Sequence, residues 1–211
     1  MRDYKYLDQY YSELIEDLYP QPPDDLHVAW AKEVVVKACT FTKCKTVLDV
    51  GCGEAFVEPM FAFWDVQYLG ICLGNDYKKA IELGRHVEEQ DFNFLPYGNG
   101  SFDMVFSRHS LEHSPFPILS LMEWNRVSKR WLCLIVPNPD HFGYIGRNHY
   151  AVSYPQQIRW WLRRAGWRMV WRQSTKTELR YICKKQKRIS YEGWAETPVT
   201  NEVYEDDRDD R

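Results

Sequence analysis

Apolar and polar positions change their rhythm twice along this chain. Residues 1–23 are acidic and tyrosine-rich and end in Pro20-Gln21-Pro22-Pro23, a run that breaks any helix. Asp24 or Asp25 then offers a side-chain acceptor to the free amides of a helix start. Leu26 to Ala38 reads as a helix, with Val34-Val35-Val36 its least helical stretch. From residue 45, short apolar runs alternate with longer polar stretches. Thr46 to Val50 predicts a strand, followed by a glycine turn and a short helix. Val66 to Cys72 predicts a second strand and Tyr77 to Glu89 a helix. Phe102 to Phe106 and Trp131 to Val136 predict further strands, with a helix over Leu119 to Ser128 between them. Strands alternating with helices imply a parallel sheet covered by helices, an α/β fold.

The last third reads differently. Ser153 with Gln156 fits a capping box, and Pro155 suits a first helical turn. Ile158, Trp161, Leu162 and Ala165 recur at the spacing of one buried helix stripe, which Gly166 ends. Beyond it Trp167, Met169 and Trp171 alternate with Arg168 and Arg172, predicting a strand with one apolar face that carries both tryptophans. Leu179 to Cys183 predicts its partner. Residues 187–211 show no periodicity and read as an extended or disordered acidic tail. The chain thus divides into an N-terminal helical cap segment (1–44), a domain (45–186) and a tail (187–211), with no internal repeat.

Composition narrows the class. At 211 residues with 45% hydrophobic and 16% aromatic side chains, the chain can bury a core of one domain. Every apolar run is far shorter than the roughly 20 residues of a bilayer span, so no membrane partner is expected. Met1 to Tyr6 places charges where a signal peptide has an apolar stretch. Cys39, Cys44, Cys52, Cys72, Cys133 and Cys183 form no CxxC pair, so neither a zinc site nor a disulfide framework is indicated. Buried free thiols in a cytoplasmic protein are the expectation. The net charge of −3 averages unlike parts: residues 151–190 hold eleven Lys/Arg and one acid, Glu178, while residues 202–211 hold six acids and two arginines.

The chemistry-bearing segment is Val47-Leu48-Asp49-Val50-Gly51-Cys52-Gly53-Glu54-Ala55. A strand ends in an acid, and glycines let the backbone turn sharply and approach a ligand. A dinucleotide fingerprint needs a third glycine where Phe56 stands. A carboxylate just before the turn suits a ligand with a cationic amino group. This strand-Asp-x-Gly-x-Gly pattern resembles motif I of the class I S-adenosylmethionine-dependent methyltransferases. Asp91-Phe92-Asn93-Phe94-Leu95-Pro96, followed by a turn and Ser101-Phe102-Asp103, is similar to that family's acid, Leu-Pro-Phe and Ser-Phe-Asp stretch. Leu111-Glu112-His113 resembles its Leu-Glu-His segment, and Arg126 to Lys129 with Val136-Pro137-Asn138 its later Arg-Val and Val-Pro-Asn pair, without the Pro-Gly-Gly turn. Ala165-Gly166-Trp167 resembles its Ala-Gly-Phe. Five ordered segments over residues 45 to 185 look most like the branch called methyltransferase type 11.

The resemblance implies a Rossmann-like class I methyltransferase fold, a mainly parallel sheet with helices on both faces, and S-adenosyl-L-methionine as cofactor. It puts Asp49, Gly51, Cys52 and Gly53 around the methionine part of the cofactor. The family's ribose-binding acid at the end of strand two is replaced by Cys72, beside Leu73, and Asp76 is the nearest substitute. Asp91 would meet the adenine amino group with Phe92 beside it, and Arg108 and His109 would close over the cofactor. Methyl transfer mainly needs in-line alignment of acceptor and methyl. A hydroxyl or amine acceptor also needs a base, for which His109, His113, His141 and His149 are candidates.

Other patterns compete. His109-Ser110-Leu111-Glu112-His113 matches an inverted zinc-protease motif, but Pro115 and Pro117 break the helix that a metal site needs, so no metal is expected. Core packing explains Trp161, Trp167 and Trp171, leaving Trp160 as the expected exposed tryptophan. Arg159, Arg163, Arg164, Arg168 and Arg172 form a basic region that suits a polyanion. Three functions follow: a methyltransferase acting on a small-molecule or sugar-like acceptor, a nucleic-acid methyltransferase using residues 151–190, and a non-catalytic binding module. Cys72 and Ala55, both departures from the family pattern, motivate the last.

Overall fold

The computed structural model describes Gln9 and residues 25–141 and 148–186. Residues 1–23 apart from Gln9, and the acidic tail, therefore lie outside the described residues. Seven strands form one sheet: β1 (Thr46–Val50), β2 (Gln67–Cys72), β3 (Val87–Glu89), β4 (Phe102–Arg108), β5 (Ser128–Pro137), β6 (Trp167–Ser174) and β7 (Glu178–Lys185). Their order is β3-β2-β1-β4-β5-β7-β6. The first five run parallel, and β7 inserts antiparallel between β5 and β6. The order reverses between β1 and β4, and open α/β sheets bind ligands at such a switch point, beyond the carboxyl ends of the strands.

Strands covered on both sides read as continuous apolar runs rather than alternating ones. Leu48, Val105, Leu132 and Leu134 face a core shared with α4 (Pro117–Val127) and α5 (Pro155–Arg164), where Trp124, Ile158 and Leu162 are buried. Val47, Phe106, Cys133 and Ile135 face the opposite core. There they meet α1 (Asp25–Thr42), through Val34, Val35 and Ala38, and α2 (Glu58–Ala62), through Phe61. The helix before residue 45 is therefore a layer of the domain's own core, and it continues to Thr42, beyond Ala38. The six thiols are free and buried, as expected. No helix among the described residues is long and apolar enough to cross a membrane.

Three local readings are corrected. The helix expected over Tyr77 to Glu89 is α3 (Gly74–Glu82), after which Gly84 adopts φ +69°. That left-handed turn stops the helix and frees Val87–Glu89 to pair with Gly70–Cys72 as the edge strand. The Ser153–Gln156 capping box does not form: Tyr154 is the N-cap of α5, with no side-chain cap bond, and Pro155 starts the helix. Trp167 and Trp171 do not share a face. A bulge between Met169 and Trp171 slips the register with β7. Trp167 therefore stays in the α4–α5 core, and Trp171 turns to the α1 side, where Lys37 Nζ lies 5.0 Å from its ring centroid.

Gly166, between α5 and β6, has φ +82°, and a Cβ there would stand 3.4 Å from Asn125 Nδ2. The same amide donates to the Gly166 carbonyl at 3.0 Å. Gly166→Ala should lower unfolding stability by about 1–2 kcal/mol, read from denaturant midpoints.

Candidate cofactor cleft

β1 delivers Asp49 to the switch point, where only 3% of the residue is exposed. Burial raises its carboxyl to about 7; the Tyr68 hydroxyl and the Arg108 guanidinium pull the other way. Tyr68 donates to Asp49 Oδ2 at 2.7 Å from the neighbouring strand β2. The turn after β1 needs left-handed backbone at Gly51 (φ +69°), Gly53 (φ +57°) and Ala55 (φ +54°). Ala55 thus adopts the same left-handed backbone as the two glycines before it.

The two glycines do different work. A Cβ on Gly51 would lie 2.6 Å from Ser110 Cβ, so this glycine admits the segment after β4. Ser110 also donates to the Gly51 carbonyl at 3.1 Å. A Cβ on Gly53 would meet only Asp76 Oδ2, at 4.0 Å, so this glycine leaves open space beside the Asp76 carboxyl. Asp76 stands in the first turn of α3, its carboxyl raised by burial and by Glu54. Leu73 is the extended N-cap of that helix. Cys72 and Cys52 are buried with Ala55 in a small apolar cluster, so β2 ends without an acid.

Asp91 accepts from the backbone and side-chain amides of Asn93, each at 2.8 Å, which fixes the loop after β3. Phe92 rests edge-on against Trp124 with ring centroids 5.8 Å apart, and its Cε1 lies 3.7 Å from the Cβ position of Gly51. Asp49, Gly53, Asp76, Asp91 and Phe92 are thereby set around one end of the sheet. A buried carboxylate for an amine, a bare glycine, a second acid and an aromatic ring fit the methionine and adenosine ends of S-adenosylmethionine.

Arg108 and His109, where β4 ends, are paired with buried carboxylates. Arg108 Nη2 donates to Glu178 Oε1 at 2.8 Å, and His109 Nε2 lies 3.0 Å from the same oxygen. Glu178 Oε2 accepts from Arg180 Nε at 2.8 Å, and Arg180 Nη1 reaches Glu33 of α1 at 2.9 Å. His109 Nδ1 faces Glu112 Oε1 at 3.4 Å. Burial pushes the His109 imidazole down, but the two carboxylates outweigh it and hold the group above its usual range. Burial likewise pushes Glu178 up, and His109, Arg108 and Arg180 bring it down to about 2. With carboxylates facing both ring nitrogens and φ +52°, His109 is held in place in surroundings that favour its protonated form.

The other histidines are placed differently. His113 and His149 lie with ring centroids 4.9 Å apart, and His113 Nδ1 is 3.0 Å from the Asn148 carbonyl. Burial and the nearby His113 lower His149, which favours a neutral imidazole. His141 is exposed, and its amide donates to the Asn138 carbonyl at 3.0 Å. Leu111–His113 is one turn of 3₁₀-helix, not the sustained helix of a zinc-protease motif. No group among the described residues has the makings of a metal site. Tyr68, Arg180 and Glu33 went unnoticed in the sequence. Glu178 carried one signal, being the single acid of the basic segment.

Comparison with known proteins bears on the fold. Residues 48–131 match the family model described as a methyltransferase domain. A S-adenosylmethionine-dependent methyltransferase from Aquifex aeolicus superposes with TM-score 0.60 at 20% identity, over 88% of this chain and 100% of that one. A putative sarcosine dimethylglycine methyltransferase from Galdieria sulphuraria gives TM-score 0.65 at 12% identity, over 88% and 100%. The cyclase SpnF gives 0.68 at 13%, over 87% and 93%. No curated protein matches the chain. The protein has the class I S-adenosylmethionine-dependent methyltransferase fold. The stretch matched by the family model spans the glycine turn, the Asp91 loop and the segment after β4.

Glu178 is fully buried, so Glu178→Gln leaves three cations short of one anion and should cost about 3–5 kcal/mol of stability. Its carboxyl is lower in the folded chain than in the unfolded one, so its contribution is full above about pH 4.5 and lost as pH falls toward 2. Thermal midpoints measured from pH 6 to pH 3 should fall, and fall less steeply in the variant.

Proposed function

We propose that the protein is a cytoplasmic S-adenosylmethionine-dependent methyltransferase acting on a small-molecule or sugar-like acceptor. The observation that carries this is the Asp49 carboxylate, buried at the switch point and held on one oxygen, next to a glycine turn that is bare at Gly53. Asp49 takes the amino group of the methionine end, and Gly53 lets the ligand approach the backbone. Asp76 takes the ribose hydroxyls in place of an acid at Cys72, and Asp91 and Phe92 receive the adenine. Six buried free thiols suit a reducing compartment.

When bound, the cofactor supplies an activated methyl on a sulfonium. The chain's residues then orient the acceptor, exclude water and receive a proton where the acceptor carries one. Of the four candidate histidines, His149 suits the base best, since its environment keeps the ring neutral, whereas the surroundings of His109 favour its protonated form. His109 and Arg108 act through Glu178 as supports of the cleft wall.

Calorimetry with S-adenosylmethionine should show binding that Asp49→Ala abolishes without unfolding the chain. Asp76→Asn should weaken it by about tenfold, the value of one hydrogen bond to a charged group. Unchanged affinity in Asp49→Ala would sink the assignment. Heat of binding without label transfer to any host-extract fraction would favour a binding module.

A second reading makes the acceptor a nucleic acid, supported by the outer face of α5 and β6. Arg163, Arg164, Arg168 and Arg172 are exposed there and Trp160 is 43% exposed, with Arg159 and Arg172 both close to Tyr181. On this reading, RNA or DNA binding weakens steeply with salt and is reduced in Arg159→Ala/Arg172→Ala. Absent or salt-independent binding removes it.

A further inference from the structure

We infer that Tyr68 is a positioning residue of the cofactor cleft, its hydroxyl pinning one oxygen of Asp49 so that the other is turned to the ligand's amine. This rests on the cofactor-binding reading above and adds to it a residue that neither the glycine turn nor the segments around it contain.

The geometry is specific. Tyr68 lies on β2 opposite Val47, two residues before the position opposite Asp49, and its side chain runs along the strand to Asp49 Oδ2 at 2.7 Å. The position it passes is Gly70. A Cβ there would lie 2.9 Å from Tyr68 Oη and 2.7 Å from Cys52 Sγ, so the reach of the hydroxyl depends on a missing side chain. The ring is held by Phe61 of α2, with centroids 5.9 Å apart. Among the described residues, Tyr68 supplies the one hydrogen bond that Asp49 receives. Burial and the adjacent Asp49 both raise the phenol, so its proton stays on oxygen and the hydroxyl remains a donor.

A carboxylate with no donor would be free to rotate and, being buried, would take up a proton. The hydroxyl opposes both. The other groups near Asp49 are the Arg108 guanidinium from β4, the Cys52 thiol from its own turn and the Cys133 thiol from β5. Burial pushes both thiols up, away from neutral pH, and arginine keeps its charge throughout. Asp49 is thus the group in this set that changes charge near neutrality; burial raises the pH at which it does so, and Tyr68 and then Arg108 lower it.

The test is calorimetry with S-adenosylhomocysteine at pH values from about 5.5 to about 9, on the wild-type chain and Tyr68→Phe. Wild-type affinity should fall on the acid side as Asp49 takes up a proton, and on the alkaline side as the ligand's own amine, ordinarily near 7.7–8.0, loses one. Tyr68→Phe should bind about tenfold more weakly and move the acid limb up by about one pH unit, leaving the alkaline limb in place. Weaker binding with an unmoved acid limb would show a merely structural tyrosine and overturn the inference, as would unchanged affinity. Should Tyr68→Phe fail to fold, Gly70→Ala carries the acid-limb part of the test: its Cβ presses on Cys52 Sγ as well as on Tyr68 Oη, so affinity alone does not isolate the tyrosine, but a moved acid limb supports the inference and an unmoved one overturns it. A wild-type chain that binds at no pH would overturn the cofactor reading itself, a result distinct from a binding wild type with unshifted variants.

Discussion

Glu178 has no exposure to solvent, yet three cations converge on its two oxygens: Arg108 and His109 from the end of β4, and Arg180 from its own strand. Charges are removed from water at a cost of several kcal/mol each, and only close, well-directed pairing offsets it. The pairing requires β7 to lie beside β5 in one register, Leu134 opposite Tyr181, so that Glu178 arrives at the level of Pro137. It also draws in α1, because Arg180 extends to Glu33. The antiparallel insertion of β7, the strained His109 backbone and the docking of the first helix all converge on one carboxylate.

This network holds the side chains at the end of β4. Arg108 is paired within it, and its positive charge stays close enough to Asp49 to oppose the protonation that burial favours. Asp49 is accordingly balanced near neutrality between burial on one side and Tyr68 and Arg108 on the other. Opposed influences of this kind are common where a side chain must be buried yet remain available to a charged ligand.

Much of the fold was legible in the chain. Strands buried on both faces announce themselves as short apolar runs, and β1, β2, β4, β5 and β7 lie where those runs stand, whereas β6 shows as an alternation of Trp167, Met169 and Trp171 with Arg168 and Arg172. β3 was hidden, because Val87-Glu88-Glu89 has no apolar run of its own and becomes a strand by pairing with β2. Trp171 was assigned to the wrong face because a bulge, invisible in a period-two pattern, adds one residue to β6. The cap of α5 was misplaced by one residue because Pro155 sets the helix start without help from a side chain.

The cleft divides along the same line. Asp49, Gly51 and Gly53 are neighbours in sequence, and their chemistry follows from local backbone geometry: a strand end, a sharp turn and residues able to take positive φ. Spacing therefore sufficed to place them in one turn at the end of β1. The pairs Tyr68–Asp49, Glu178–Arg108 and Arg180–Glu33 join residues 19, 70 and 147 positions apart. These pairs come from tertiary packing, which brings distant side chains within 3 Å and buries Glu178 and Arg180 while Glu33 stays exposed. Burial then decides which charges must be paired and which histidine has surroundings that favour its protonated form. Local geometry is written in the order of residues, whereas the dielectric around a side chain is a property of everything folded against it.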